Sequence, residues 1–303
     1  MSENNNGKRN RIPRGYTAED SQRRLEWLKS EQGFDLQDLP GNDPEELKGI
    51  IENHVGYMKI PMAIVGPAMI NGKYANGKFS IPLCTIEGTL AASMNRGLYT
   101  SSLCGGINVK HFRQELSRSP IFIFDDLNKS EEFQAWINKN TEEIIKAAQS
   151  TTKHGKILRI DQHAIQNYVL LDFILDTGNA AGQNMVTLAT NVACDYIKQQ
   201  TGQDFFLDSN LASDKKASYR NLILGRGHGV IAETHVSKSV MTRVLNVDPD
   251  FIIKNWTYFP IVSAMAGTHG NAIHVSNALT AIYLATGQDT ACVAENSIGH
   301  FTI

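Results

Sequence analysis

Lys156-Ile-Leu-Arg-Ile-Asp-Gln-His-Ala-Ile165 and Tyr168-Val-Leu-Leu-Asp-Phe-Ile-Leu-Asp176 decide the fold. Both runs are rich in large and β-branched apolar residues, and only Gln166-Asn167 lies between them. They read as two strands joined by a tight connection. Upstream, Ile121-Phe-Ile-Phe124 is a short apolar strand and Ser130 to Ser150 a helix. Downstream, Ala180 to Gln200 is a helix and Asp204 to Leu207 a short strand. The order strand–helix–strand–strand–helix–strand is the split βαβ, or ferredoxin-like, pattern. Such a unit closes its own core. The predicted fold is therefore α/β (α+β). A large domain, 1–119 and 206–303, carries an inserted ferredoxin-like small domain at 120–205.

The flanks are read the same way. Residues 1–14 are polar and basic and are expected to be a solvated tail. Thr17 to Gln32 is predicted helical, with Leu25, Trp27 and Leu28 as its apolar positions. Asp43-Pro44 has the form of a helix start. Met62 to Ile70 and Lys78 to Cys84 are strand-like, with turn signals at Asn71-Gly72 and Asn76-Gly77. Glu87 to Leu98 reads as a helix with small residues on its packing face. Further on, Gly229 to Val236 is strand-like. Ser239 to Leu245, Pro249 to Lys254 and Asn271 to Thr286 are helix candidates, and Glu295 to Ile303 reads as the beginning of a strand.

Composition narrows the function classes. The 303 residues include 42% hydrophobic and 20% charged side chains, as in a globular protein. The formal net charge of −2 gives no basis for a dedicated nucleic-acid or anionic-membrane surface. No apolar run approaches the ~20 residues of a membrane span. Cys84, Cys104, Cys194 and Cys292 form no Cys-x-x-Cys motif and are expected to be free thiols in a reducing cytoplasm.

Several chemistries lack their motifs. There is no P-loop, no Gly-x-Ser-x-Gly elbow and no His-x-x-x-His pair, so no metal site is expected. Gly225-Arg-Gly-His-Gly229 has the wrong spacing for a dinucleotide fingerprint and runs into a strand. Three polar clusters remain: Thr85-Ile-Glu-Gly88, Ser213-Asp-Lys-Lys216 and Gly287-Gln-Asp289. Singly, each has a structural reading. A Glu in a first helical turn complements the dipole. An Asp-Lys-Lys run is a solvated turn, and Gly-x-Asp after a helix is a C-cap.

These clusters stand in order with Glu52-Asn-His-Val-Gly56, Ile60-Pro61, Gly66-Pro67, Asn95-Arg-Gly97 and Ser263-Ala-Met-Ala-Gly267. In that order the chain, from about Glu52 onward, resembles the catalytic region of the 3-hydroxy-3-methylglutaryl-CoA reductase family. The resemblance implies NADPH-dependent, two-step reduction of the (S)-acyl-CoA to mevalonate and free CoA. It also implies a homodimer, or a higher homo-oligomer, whose sites form between subunits, the small domain of one chain lying near the acid of its partner. The small domain would hold the dinucleotide without a Rossmann motif.

The roles that the resemblance implies can be named by residue. Lys215 is the cation that stabilises the oxyanion, Glu87 the protonated acid, and Asp289 the aspartate that tunes both. Asn277 would steady the lysine, and His274 would lie at the substrate side, with a satisfied helix histidine as the rival reading. Arg118, Asp214 and Lys216 belong to the substrate site, Arg118 and Lys216 pairing with its carboxylate. Asn95 and Arg96 lie at the CoA side. On the cofactor side, Thr177-Gly-Asn-Ala-Ala-Gly-Gln-Asn-Met185 stands where the family has a Gly-rich loop at a helix N-terminus, suited to a pyrophosphate. Asn179, Gly182, Asn184 and Met185 are its candidate contacts. Thr152 and Lys153 stand where the family holds the ribose 2′-phosphate.

The chain departs from the family pattern in places. Asn179 replaces an Asp, Asp208 replaces a carboxylate-binding serine, and Tyr258-Phe-Pro260 stands where a lysine is expected. The family continues beyond the position of Ile303 into a Gly-rich segment carrying the histidine that protonates the CoA thiolate. The expectation is thus a fragment, inactive or nearly so alone. Two rivals are a reductase of another acyl-CoA or carrier-protein thioester, and a truncated CoA-binding relative without turnover.

Overall fold

The computed structural model describes residues 12–33, 35–36 and 44–303. It divides into two compact units, 1–61 and 62–303. In the first, α1 runs from Ala18 to Gln32 behind a Thr17–Asp20 capping box and stops at Gly33 in the left-handed region. Its buried positions are polar, Ser21 and Arg24, while Leu25, Trp27 and Leu28 are half-buried. Main-chain carbonyls explain this. The Arg24 guanidinium donates to His54 O, Pro13 O and Gly15 O, and Ser21 Oγ to His54 O at 2.7 Å. Of the helix start expected at Asp43-Pro44, Asp43 lies outside the described residues, and 44–50 is a run of turns.

The second unit begins with β1 (Met62–Gly72) and β2 (Asn76–Cys84), an antiparallel pair. Asn71 pairs with Asn76 and Ile70 with Gly77 across the hairpin, so residues 72–75 form the connection. Helix α2 (Leu90–Ser102) follows. Half-buried Leu90, Ala91, Met94 and Leu98 pack on Val65, Leu83 and Ala281, while Ala92, Ser93, Arg96 and Gly97 are exposed. It starts three residues later than expected, because Thr89 takes a left-handed conformation and no side chain caps this end. Glu87 therefore precedes the helix and is not in its first turn.

A strand missed in the sequence, β3 (Ile107–Arg118), is the spine of the molecule. It lies parallel to β1 over three residues, antiparallel to β8 (Gly227–Glu233), and antiparallel to β6 at Leu116–Arg118. Its alternation of Ile107, Val109 and His111 with polar neighbours is a period-2 signal, interrupted by the irregularity between His111 and Arg113. Beyond it come β4 (Ile121–Ile123), α3 (Leu127–Gln149), β5 (Lys156–Ile165), β6 (Tyr168–Asp176), α4 (Gln183–Thr201) and β7 (Phe205–Phe206). The strand order here is β7-β4-β6-β5, all pairs antiparallel. Helices α3 and α4 pack on it through Phe133, Ile137, Ile144, Val186, Ala189 and Ile197, against Phe122, Val169, Leu171, Phe173 and Leu175. Burying each such side chain contributes about 1.5–3 kcal/mol. Seven consecutive residues of β6, Val169–Leu175, are buried, which is why that run reads as continuous and not alternating.

The chain then forms α5 (Tyr219–Leu224), β8, a short α6 (Lys238–Val240) continuing as a π turn, α7 (Pro249–Trp256), α8 (Phe259–Met265) and α9 (Val275–Thr286). The last element is α10 (Val293–Asn296). The strand expected from Glu295 is absent; Gly299 makes only an isolated parallel bridge with Gly270. The reason is local: Asp289 caps a turn of 3-10 helix that runs on into α10. The second unit is a mixed α/β fold around a curled eight-stranded sheet. No helix among the described residues is long and apolar enough to cross a membrane.

Candidate active site

Lys215 sits in the loop between β7 and α5. It takes a left-handed conformation (φ 55°), as does Ser213 (φ 53°), an unfavourable backbone for residues with a Cβ. The loop is held from three sides. Asn221 Nδ2 donates to Ser213 O at 3.0 Å and to Lys216 O at 2.9 Å. Arg226 Nη1 donates to Ala212 O at 3.1 Å and to Ser117 O at 2.9 Å. The Lys215 N–H donates to Glu295 Oε2 at 2.5 Å.

The side chain of Lys215 points to Asp289, Nζ to Oδ2 at 2.7 Å, with both side chains about half exposed. The hydrogen bond to Asp289 raises the lysine pKa, and the same bond, with the Ala291 N–H, lowers that of Asp289. Both groups stay charged across the neutral range. A fixed ammonium at the surface of an open loop is suited to stabilising an oxyanion. Asp289 stands two residues past Gly287, the left-handed C-cap of α9. Gly287 is thus the C-cap, and Asp289 a partner of the lysine as well as the cap of the next turn.

Glu87 lies at the other end of α9. Its Oε1 accepts from Asn277 Nδ2 at 2.9 Å, and its own N–H donates to Thr85 Oγ1 at 2.9 Å. Asn277 was expected to steady Lys215; its side-chain bond goes to Glu87. His274 is the residue preceding α9, exposed and left-handed, and its carbonyl accepts from Asn277 N–H. It is not a buried, satisfied helix histidine. Ten residues of helix at 1.5 Å each put about 15 Å between Asn277 and Gly287. Within one chain the structure joins Lys215 to Asp289 and Asn277 to Glu87, but not the two pairs to each other.

Arg118 ends β3 and is buried. Its guanidinium meets Asp208 Oδ2 at 3.0 Å and Asp214 Oδ2 at 3.3 Å. Lys216 Nζ donates to Asp214 O at 3.0 Å. The cation expected to take a substrate carboxylate thus already faces two of the protein's own. Asn95 Oδ1 accepts from Gly66 N–H at 2.8 Å, tying α2 to β1, and Arg96 is exposed on the same helix. At Tyr258-Phe-Pro260 the chain enters α8, and Phe259 stacks on Trp256 with ring centroids 4.5 Å apart.

The cofactor candidates gather at the N-terminus of α4. Gly182 precedes it at φ 81°, where a Cβ would fall 2.3 Å from Thr177 Cγ2, and no side chain caps this end. The uncapped amides fit an anion such as a pyrophosphate. The turn holding Thr152 and exposed Lys153 abuts it: a Cβ on Gly155 would lie 2.5 Å from Met185 Sδ and 3.4 Å from Thr152 Cγ2. Thr152 Oγ1 accepts from His154 N–H and Gly155 N–H. Asn179 and Asn184 are exposed on the same loop and helix turn.

Arg226, Glu295 and Gln183 were not singled out in the sequence. Arg226 and Glu295 have side chains 1% and 3% exposed and pair at 3.0 Å. Burial raises the Glu295 pKa, opposed by Arg226 and by the Lys215 N–H. The signal was in Gly225-Arg-Gly-His-Gly229: Gly225 and Gly227 both have positive φ, which turns the arginine between them inward.

Comparison with known proteins identifies the family. A family model described as hydroxymethylglutaryl-coenzyme A reductase matches residues 20–303. The 3-hydroxy-3-methylglutaryl-coenzyme A reductase of Aeropyrum pernix is 36% identical over 271 residues, covering 88% of this chain and 63% of that protein. The enzyme of the same name from Methanothermobacter thermautotrophicus is 37% identical over 252 residues, covering 82% of this chain and 64% of that protein. The chain therefore spans somewhat less than two thirds of these relatives. A solved 3-hydroxy-3-methylglutaryl-coenzyme A reductase of Streptococcus pneumoniae superposes with a TM-score of 0.65 at 17% identity, covering 90% of this chain and 74% of that one. A class II enzyme of the same organism, bound to NADPH in open conformations, gives the same values. On the family match and the identity to these relatives, the chain belongs to the hydroxymethylglutaryl-coenzyme A reductase family.

Proposed function

We propose that the chain is an NADPH-dependent reductase of 3-hydroxy-3-methylglutaryl-CoA, forming mevalonate and free CoA. The observation that carries this is the Lys215–Asp289 pair at 2.7 Å in a chain of this family. NADPH supplies two hydrides in succession. The first adds to the thioester carbonyl and the CoA thiolate leaves; the second reduces the resulting aldehyde to the alcohol. Lys215 holds the oxyanion in both steps, and Asp289 keeps it protonated. Glu87, held by Asn277, supplies the proton of the alkoxide. One proton goes to the thiolate and one to the alkoxide.

The same reading places the dinucleotide on the α4 N-terminus, with Lys153 at the ribose 2′-phosphate. The βαββαβ segment, with its antiparallel order β7-β4-β6-β5, supports a ferredoxin-like small domain at 120–205, inserted in a larger domain of 1–119 and 206–303. The separation of Glu87 from Lys215 supports a homodimer in which the acid of one chain meets the lysine of its partner. Free Cys84, Cys104, Cys194 and Cys292 fit a cytoplasmic protein.

Asp208 on Arg118 favours a second reading, a reductase of a thioester lacking the acyl carboxylate. NADPH oxidation with hydroxymethylglutaryl-CoA against a panel of acyl-CoAs separates the two. Lys215→Met is expected to abolish hydride transfer, a loss of ~3–4 kcal/mol or more, while CoA binding survives. Turnover within tenfold of wild type would overturn the assignment.

A further inference from the structure

We propose that the buried Glu295–Arg226 pair is the positioning element of Lys215, fixing its backbone against the N-terminus of α4. This rests on Lys215 being the reacting cation, as argued above. Lys215 is gripped at both ends by one short segment: Asp289 takes its ammonium and Glu295 its amide. The amide bond matters because the backbone there is left-handed, a conformation that a lysine holds only when its surroundings impose it. Glu295 is able to impose it because it is itself immobile. Its side chain is 3% exposed, its Oε2 meets Arg226 Nε at 3.0 Å, and its Oε1 accepts from Gln183 Nε2 at 3.4 Å.

Arg226 is fixed in turn by Ser117 O at the end of β3, by Ala212 O in the lysine loop, and by Gln183 Oε1 at 2.8 Å. Gln183 is the first residue of α4, next to Gly182. The pair thus connects the lysine loop, the central strand and the helix end that would carry the dinucleotide. Neither residue has a route to the reacting atoms: Arg226 is 1% exposed at its side chain and Glu295 is spent on an amide. Glu295 acts through Lys215, and Arg226 acts through Glu295 while also meeting Asp214 Oδ1 at 3.3 Å. A buried ion pair is weak evidence for stability as such, so a positioning role accounts for it better than a purely structural one.

The test uses Glu295→Gln, Glu295→Ala and the double variant Arg226→Met/Glu295→Leu. The glutamine keeps an oxygen to accept the Lys215 N–H; the other two do not. With hydroxymethylglutaryl-CoA and NADPH, Glu295→Ala is expected to lose about 100-fold in kcat, the cost of a misplacement of about 1 Å. KM should stay within about threefold, and Glu295→Gln should recover at least tenfold of that loss. The double variant replaces the pair with apolar groups of similar bulk, which tends to preserve folding. It should melt near wild type and still lose kcat as the alanine variant does. It decides the matter if Glu295→Ala does not fold.

An activity-free readout accompanies these: the rate at which acetic anhydride labels Lys215 below its pKa. Loosening the loop separates the ammonium from Asp289, so labelling should become faster in Glu295→Ala and in the double variant. Wild-type-like kcat in the folded double variant would overturn the proposal, and so would an unchanged labelling rate. If the wild-type chain shows no turnover on any thioester, that result bears on the functional reading alone, and the labelling rates decide whether Glu295 positions Lys215.

Discussion

Mixing two inactive variants tests where the site is completed. Lys215→Met removes the proposed oxyanion cation, and Glu87→Gln removes the proposed acid. In the structure each of these residues has its own partner, Asp289 at 2.7 Å and Asn277 at 2.9 Å, at opposite ends of α9. About 15 Å of helix lies between those ends. Proton transfer needs heavy atoms within about 3 Å of each other, or one bridging water. A single chain arranged in this way cannot bring Glu87 and Lys215 to one carbonyl. A two-fold partner can, because an isologous dimer sets the acid end of one chain against the lysine end of the other. In a mixed dimer one site then carries both lesions and the second carries neither. Equal mixing and random exchange make about half the dimers mixed, each with one intact site of two. Co-refolding or co-expressing the variants should therefore restore about one quarter of wild-type NADPH oxidation, from parents with almost none. Light scattering should show a dimer at micromolar concentration. Activity in the mixture no higher than in either parent, with mixed dimers verified by differential tagging, would refute the shared site.

Other variants probe single contacts. Asp289→Asn should cost at most about 1 kcal/mol of stability, since the pair is half exposed. It should nonetheless move the alkaline limb of the pH–rate profile to lower pH: Asp289 raises the Lys215 pKa, and without it the ammonium is lost earlier on the way up. An unmoved limb would show that Asp289 does not hold the proton. Lys153→Ala should weaken NADPH more than NADH, measured as the ratio of the two kcat/KM values; an unchanged ratio removes Lys153 from the 2′-phosphate. Lysine lacks the bidentate fork of arginine, so the change should be modest. Asp208→Ser leaves Arg118 facing only Asp214, and should lower KM for hydroxymethylglutaryl-CoA several-fold while leaving KM for an uncharged acyl-CoA unchanged. Equal shifts for both substrates would separate Arg118 from carboxylate recognition.

Much of the outline was legible in the residues because it is set by local signals. The limits of β5 and β6 were read to the residue, and α3, α4 and α7 to within three residues at each end. These elements have long periodic runs or sharp caps, such as Asp126 before α3 and Asp248-Pro249 before α7. β3 was missed because its alternation breaks at an irregularity and its middle is polar, although it pairs with three other strands. The start of α2 was missed because Thr89 is left-handed without a capping side chain.

The sequence by itself determined the α/β class, the order of the middle elements, and the motifs whose joint order carries the family resemblance. Periodicity, caps and motif order are properties of neighbours along the chain, and they survive without knowledge of the fold. Only the tertiary structure decided what each polar residue faces. It set Asn277 on Glu87 and not on Lys215, put Asp208 and Asp214 on Arg118, and buried Arg226 with Glu295 beneath the lysine loop. Residues 118 and 208 meet because β3 is pinned against β6 at Leu116–Arg118 and β7 against β4 at Ile121 and Phe122. Pairings of that kind are fixed by sheet register and by desolvation of whatever the packing encloses, and no local pattern in the chain encodes them.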